Sequence, residues 1–307
     1  MFPKAVTHIG PANAIYPRLL MAILITGAEG QLGQELSRQL GSEARGIDRA
    51  DCDLTNRQEL EATLNRFRPQ IIINAAAYTL VDRAEDEPEL CRAVNATAVG
   101  WMAEWCREAG GDLVQISTDY VFGGDAFRRR PYREDDPPAP LSVYGHSKWE
   151  GEQRAAQAPQ FLIVRTCGLY GKLGPRSPGN FVQTILRRAR AGQPLRVVDD
   201  QFCTPSYVVD VARAIVFLIR RKEQGIIHVV NRGETTWYRF AREICRLAGV
   251  SPHLEPIRTD QYPAKARRPA YSVLDTSRYH SLPGVPPMPT WQQAVAEYLS
   301  QQSSAET

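Results

Sequence analysis

From Met21 onward, short apolar runs alternate with stretches of helical periodicity, and few folds accommodate that pattern. Strands that succeed one another through long crossovers lie parallel in one sheet, with the crossovers packed on its faces. The spacing predicts strands over Ala22–Thr26, Ala44–Ile47, Ile71–Asn74, Asp112–Ser117 and Phe161–Arg165. Helices are expected over Gln31–Leu40, Arg57–Arg68, Pro88–Glu108 and Ser142–Ala158. The polar, proline-rich stretch before Pro140 is too long for a plain connector and reads as functional. After Thr166 the rhythm changes. Strands are expected at Leu195–Val198 and Ile226–Val230, and helices near Phe181–Ala191, over Tyr207–Arg221, over Trp237–Ala248 and from Trp291.

Composition removes several classes of function. The net charge of +3 is too small to favour nucleic acid or an acidic membrane surface. The six cysteines form no C-x-x-C pair, and the reading is free thiols in a reducing cytoplasm rather than disulfides. No apolar run approaches the ~20 residues needed to cross a bilayer, and residues 1–20 lack the order of a secretory signal. The expectation is a soluble, cytoplasmic protein with no membrane partner. Residues 1–20 fit none of the βα rhythm, while Met21 stands directly before the first strand. The extension is expected to be disordered or an artefact of start-site choice.

Three motifs carry chemistry. Gly27-Ala-Glu-Gly30-Gln-Leu-Gly33 lies between a strand and a helix, where glycine permits a tight turn and a helix N-terminus presents free N–H groups to a pyrophosphate. Asp48 ends the second strand, where an acid can accept the ribose hydroxyls of NAD; Arg49 beside it could meet a 2′-phosphate instead. Asp53-Leu54 is placed to flank an adenine. In Tyr144-Gly-His-Ser-Lys148, tyrosine and lysine four residues apart share a helix face. An ammonium near the phenol is expected to lower its pKa and make it a general acid for a carbonyl accepting hydride. Ser117-Thr118 closes the fourth strand, with a hydroxyl able to hold a substrate oxygen. The fold expected is a Rossmann-type doubly wound α/β sheet over residues 21–166, with return segments around 195–230. A smaller α/β C-terminal lobe, residues 167–194 and 231–307, is expected to bind substrate.

Together these residues resemble the extended short-chain dehydrogenases and, more narrowly, the dTDP-4-dehydrorhamnose reductase family. Also behind the resemblance are Asn74-Ala-Ala-Ala-Tyr-Thr-Leu-Val-Asp82-Arg-Ala-Glu85, Ser117-Thr-Asp-Tyr-Val-Phe122, Gly151-Glu152, Arg165-Thr166 and Arg268-Pro-Ala-Tyr-Ser-Val-Leu-Asp275. It implies that NADPH or NADH is the cofactor and a dTDP-sugar the substrate. It further implies that Gly30, Gln31 and Leu32 contact the pyrophosphate, that Asp48, Asp53 and Leu54 meet the adenosine, and that Ala76 and Ala77 border the nicotinamide ribose. Tyr144 would donate the proton, Lys148 bind the ribose and acidify Tyr144, and Thr118 assist. Thr118 and Asp119 would touch the sugar, and Arg268 the diphosphate. Some members hold a divalent metal at a dimer contact. Glu35 matches one such position and no other matches, so no metal is expected, and a homodimer stays open.

The chain departs from the family at Arg165-Thr-Cys-Gly168-Leu-Tyr170, where a tryptophan usually follows Arg-Thr, and less sharply over Asp200-Gln-Phe-Cys-Thr-Pro205. Glycine at 168 predicts a wider sugar pocket, or one filled by Leu169 or Tyr170. The competing readings are a nucleotide-sugar epimerase or dehydratase, and a non-catalytic NADP-binding regulatory subunit similar to that of methionine adenosyltransferase. A dehydratase would want a carboxylate pair beside Thr118, where Asp119-Tyr120 stands.

Overall fold

Six parallel strands carry the architecture: β1 (Ile23–Thr26), β2 (Ala44–Ile47), β3 (Ile71–Asn74), β4 (Asp112–Thr118), β5 (Phe161–Thr166) and β6 (Gly225–His228). The structure, a computed structural model, describes residues 23–174 and 179–305. The expectation for residues 1–20 therefore lies outside the described residues. The strands are ordered β6-β5-β4-β3-β1-β2, every pair parallel. The chain leaves β1 in one direction to reach β2 and in the other to reach β3. That reversal opens a crevice at the carboxyl ends of β1 and β3.

The helices between are α1 (Gln31–Leu40), α2 (Arg57–Phe67), α3 (Ala98–Ala109), α4 (Val143–Ala155), α5 (Phe181–Arg190), α6 (Val208–Arg220), α7 (Trp237–Leu247) and α8 (Trp291–Ala305). Alternate residues of each strand feed opposite layers. Ile23 and Ile25 pack with Leu36 of α1 and Val211, Ile215 and Leu218 of α6. Leu24, Ile72 and Ile163 pack on the other face with Leu60 and Leu64 of α2 and Met102 and Cys106 of α3. Each such fully buried aliphatic contributes roughly 1.5–3 kcal/mol of transfer free energy.

Local chemistry sets the ends. Asn56 caps α2 by accepting from the amides of Gln58 and Glu59 at 3.1 and 3.3 Å. Arg68 leaves that helix in the left-handed region, φ 45°, directly before Pro69, which cannot continue it. Ser142 caps α4 through the amide of Gly145 at 3.1 Å.

Two expectations change. The helix predicted over Pro88–Glu108 is broken by a five-residue π-turn, Ala93–Thr97. Leu195–Val198 does not return to the central sheet; it pairs in parallel with Leu254–Ile257 in a separate two-stranded sheet. In the C-terminal half, Phe202–Cys203 pairs with Thr235–Thr236 and Leu169–Tyr170 with Ser206–Tyr207. The proline-rich stretch after β4 packs onto the same half. Phe122 and Tyr132 stack at 4.2 Å, and the Tyr132 amide donates to the Val273 carbonyl at 2.8 Å.

Candidate active site

A cavity of about 930 Å³ follows the carboxyl ends of β1 to β5. That is room for a dinucleotide-sized ligand and part of a second molecule. Its wall takes in Gly27, Gly30, Gln31, Leu32 and Gly33, then Asp48, Asp53 and Leu54, then Ala76 and Ala77, and finally Thr118, Asp119, Tyr144 and Lys148.

The glycine turn is as tight as the residue type allows. A Cβ on Gly33 would lie 2.1 Å from the Gly27 carbonyl oxygen, and one on Gly27 would lie 2.6 Å from the Ala76 amide nitrogen. Gly27 itself sits at φ 69°, in the left-handed region that favours glycine. Gly30 caps α1 without any side-chain hydrogen bond, and no acid stands in the first turn. That helix start suits an anion. Asp48 is committed to the turn: its two oxygens accept from the amides of Glu29 at 2.8 Å and Arg49 at 2.7 Å. Asp53 accepts from the amide and hydroxyl of Thr55 at 2.9 and 2.8 Å, which hold its carboxyl below the usual range.

The second cluster joins β4 to α4. The Thr118 hydroxyl stands beside the Tyr144 phenol, donates to Asp119 Oδ1 at 3.1 Å and accepts from the Tyr120 amide at 3.1 Å. Tyr120 meets the Tyr144 ring edge-on, centroids 5.9 Å apart. Lys148, 3% exposed, donates from Nζ to the Ile116 carbonyl at 2.6 Å. Burial pushes Lys148 down to about 8 against the pull of Glu152. Burial also raises Tyr144 above the ordinary phenol value, opposed by its bond to Thr118. This reverses the direction expected from sequence, because desolvation outweighs any nearby charge and the Lys148 donor is turned to a backbone carbonyl. Beneath the site Glu152 accepts from Arg165 at 2.8 Å and from Ser117 at 2.5 Å, pinning α4 to β4 and β5.

The π-turn belongs to this cluster. Its widened register presents Asn95, which accepts from the Tyr78 amide at 2.9 Å and donates to Ser147 Oγ at 3.0 Å. α4 comes so close that a Cβ on Gly151 would lie 2.1 Å from the Asn95 carbonyl oxygen. No glycine or proline in Ala93–Thr97 signals the turn.

Toward the C-terminal half, Asp119 is 2% exposed and accepts from Ser272 Oγ at 2.6 Å. Burial lifts its carboxyl to about 6, opposed by bonds to Ser272, Cys167 and Thr118. Arg268 does not line the cavity and instead forks onto Asp82, at 3.0 and 2.8 Å. The space beside Gly168 is not open. Gly168 has φ 51°, and a Cβ there would lie 3.0 Å from the Trp237 ring and 3.3 Å from Pro205 Cα. Trp237 and Leu169 line the cavity. Tyr170 is 1% exposed and packs inward against Tyr207, Phe240 and Tyr298. Nothing in the sequence marks the Trp237 side chain for this wall, where it reads only as the first residue of a helix.

The residues present suit a nicotinamide dinucleotide: an uncapped helix start, a turn a single methyl would fill, and a buried Thr166 hydroxyl with no partner in the wall. Among the described residues no group of three or more His, Cys, Asp or Glu is gathered as a metal site, and Glu35 is paired with Arg38. Sheet order, glycine turn and the Thr–Tyr–Lys cluster define a nucleotide-dependent oxidoreductase of the extended short-chain dehydrogenase class. Residues 21–304 match the RmlD substrate binding domain, and the chain belongs to that family. A dTDP-4-dehydrorhamnose reductase of Streptomyces griseus is 38% identical, covering 89% of this chain and 91% of the other. A probable dTDP-4,6-dihydroxy-2-methyloxan-3-one 4-ketoreductase of Streptomyces antibioticus is 39% identical, covering 90% and 94%. The crystal structure of dTDP-4-dehydrorhamnose reductase from Bacillus anthracis in complex with NADP superposes with a TM-score of 0.85 at 37% identity, covering 91% and 98%.

Proposed function

We propose that the protein reduces the 4-keto group of a dTDP-activated 6-deoxy sugar, dTDP-4-dehydrorhamnose to dTDP-rhamnose, with NADPH or NADH. The observation that carries the reading is the gathering of Thr118, Tyr144 and Lys148 in the cavity that begins at the glycine turn. When bound, the dihydronicotinamide supplies the hydride. The uncapped start of α1, through Gly30, Gln31 and Leu32, holds the pyrophosphate, with Gly27 and Gly33 keeping the turn tight. Asp48, Asp53 and Leu54 border the adenosine, and Ala76 and Ala77 the ribose next to the nicotinamide. Tyr144 gives its phenolic proton to the C4 oxygen, and Thr118 stands beside the same phenol to assist. A phenol raised by burial stays fully protonated at neutral pH, which suits a proton donor. Lys148 binds the ribose and stabilises the phenolate left behind. Asp119 and Arg268 address the sugar and its diphosphate.

The test is a set of 4-keto sugar nucleotides followed at the nicotinamide absorbance. Turnover of a dTDP-linked substrate is expected; cofactor binding without turnover on any would favour a regulatory subunit.

The role of Lys148 predicts a pH dependence. A lysine whose pKa is depressed to about 8 keeps its charge below that value and loses it as pH rises through it. Activity should therefore hold at neutral pH and fall about tenfold per unit above pH ~8. A Lys148→Arg variant keeps a cation throughout and should lack that alkaline limb. A wild-type profile flat to pH ~9.5 would remove Lys148 from this role.

Cofactor selectivity should be shallow. Both Asp48 oxygens already accept backbone amides, which blunts repulsion of a 2′-phosphate, and the adjacent Arg49 attracts it. The ratio of NADH to NADPH Kd is expected to stay below ~100, equivalent to ~2.7 kcal/mol. A larger ratio would show that one of the two residues governs the pocket alone.

A further inference from the structure

Asp82 has no place in the reaction described so far, yet its carboxylate is the most heavily bonded acid near the cavity mouth. It stands between Val81 and Arg83, both on the cavity wall, and its side chain is 45% exposed. One oxygen accepts from the amides of Lys265 at 3.0 Å and Ala266 at 2.9 Å, and from Arg268 at 3.0 Å. The other accepts from Arg268 at 2.8 Å. Lys265 adds an ion pair to Asp86. The bonds to Arg268 hold the Asp82 carboxyl below its ordinary range. Four residues further on, Ser272 Oγ is bonded to Asp119, itself in the cavity wall. Between those anchors Pro269 lies against Gly123, within 3.0 Å of where a Cβ would stand. Residues 265–272 thus form a strap fastened at both ends by carboxylates, one beside the cavity wall and one within it.

We infer that Asp82 is a positioning residue for the sugar nucleotide: it orients the Arg268 guanidinium beside the cavity wall to receive the diphosphate. This rests on the function proposed above. A guanidinium has five N–H donors and spends two on Asp82 and one on the Ala266 carbonyl, so two remain for phosphate oxygens. The fork fixes the guanidinium plane, which a free arginine side chain would have to order on binding. The hydrogen bonds of Asp82 all run to residues 265–268, so its effect is confined to the sugar-nucleotide half.

The experiment uses the full chain and its Asp82→Asn, Arg268→Gln and doubly substituted forms. It measures KM and kcat for the keto-sugar nucleotide, and Kd for dTDP alone and for NADPH. Asp82→Asn is expected to raise KM and the dTDP Kd about tenfold in parallel, leaving kcat and the NADPH Kd within about twofold. The double variant should be no worse than Arg268→Gln alone, the non-additivity expected of residues acting as a unit. Additive losses, or an unchanged dTDP Kd, would overturn the inference. Should Asp82→Asn fail to fold, Arg268→Lys carries the test: it keeps the charge, loses the fork, and should show the same split of KM from kcat. An unchanged KM in that variant counts against the inference. A wild-type protein that binds no dTDP and reduces no keto sugar would instead sink the functional reading itself, and the inference with it.

Discussion

Replacing Tyr144 with phenylalanine is expected to lower kcat by ~100- to 10,000-fold while the NADPH Kd stays within about twofold. The ring fills the same volume, keeps its edge-on contact with Tyr120, and removes only the hydroxyl beside Thr118. What is lost is a proton delivered as hydride arrives, an interaction made in the transition state and not on binding, so kcat and kcat/KM should fall together. Stopped-flow measurement of cofactor oxidation under saturating substrate separates this from a binding defect. A variant retaining more than a tenth of wild-type kcat would clear Tyr144 of the role. Asp119, a buried carboxyl lifted to about 6, would then be the next donor to examine.

The second large effect is a loss. Gly168→Trp is expected to lower Tm by about 5–10 °C and to raise KM for the sugar nucleotide at least tenfold. A bulky side chain at φ 51° costs on the order of 1–3 kcal/mol in the backbone alone. Its Cβ would also press on the Trp237 ring and on Pro205 Cα, the second of which is backbone and cannot step aside. For a chain of this size 2–3 kcal/mol corresponds to several degrees. Glycine at 168 alone predicts a wider pocket that an added indole would fill. The structure reverses the sign, since an indole already stands there, contributed by α7. Thermal unfolding and steady-state kinetics of the one variant decide it: an unchanged Tm with a lower KM would restore the wider pocket.

The fold was legible where one physical rule governs a stretch. Ile71–Asn74 reads as a strand because a central parallel strand is buried on both faces and so apolar throughout. The glycine turn reads as a turn because glycine alone tolerates its geometry. Failures came where the cause lies far along the chain. The π-turn at Ala93–Thr97 is held by Asn95 reaching Tyr78 and Ser147, and by Gly151 admitting α4. Nothing within those five residues announces it. Leu195–Val198 has the composition of a central strand, and only its partner Leu254–Ile257 takes it out of that sheet. The direction of the Tyr144 shift depends on desolvation, which a four-residue spacing with lysine does not encode. Arg268 was marked from its motif, while the acid that grips it, Asp82, lies in the opposite half of the chain.

That last separation has a consequence in time. The cavity wall begins at Gly27 and the strap at 265–272 is fastened beside it, so the two leave the ribosome far apart. At ~5–20 residues per second the interval is on the order of 10–50 s. Throughout it Asp82 and Asp119 have no strap to hold, and a carboxylate that will later be buried remains in water. A nascent chain can thus lay down the glycine turn early, but the strap is fastened only after residue 272 has emerged.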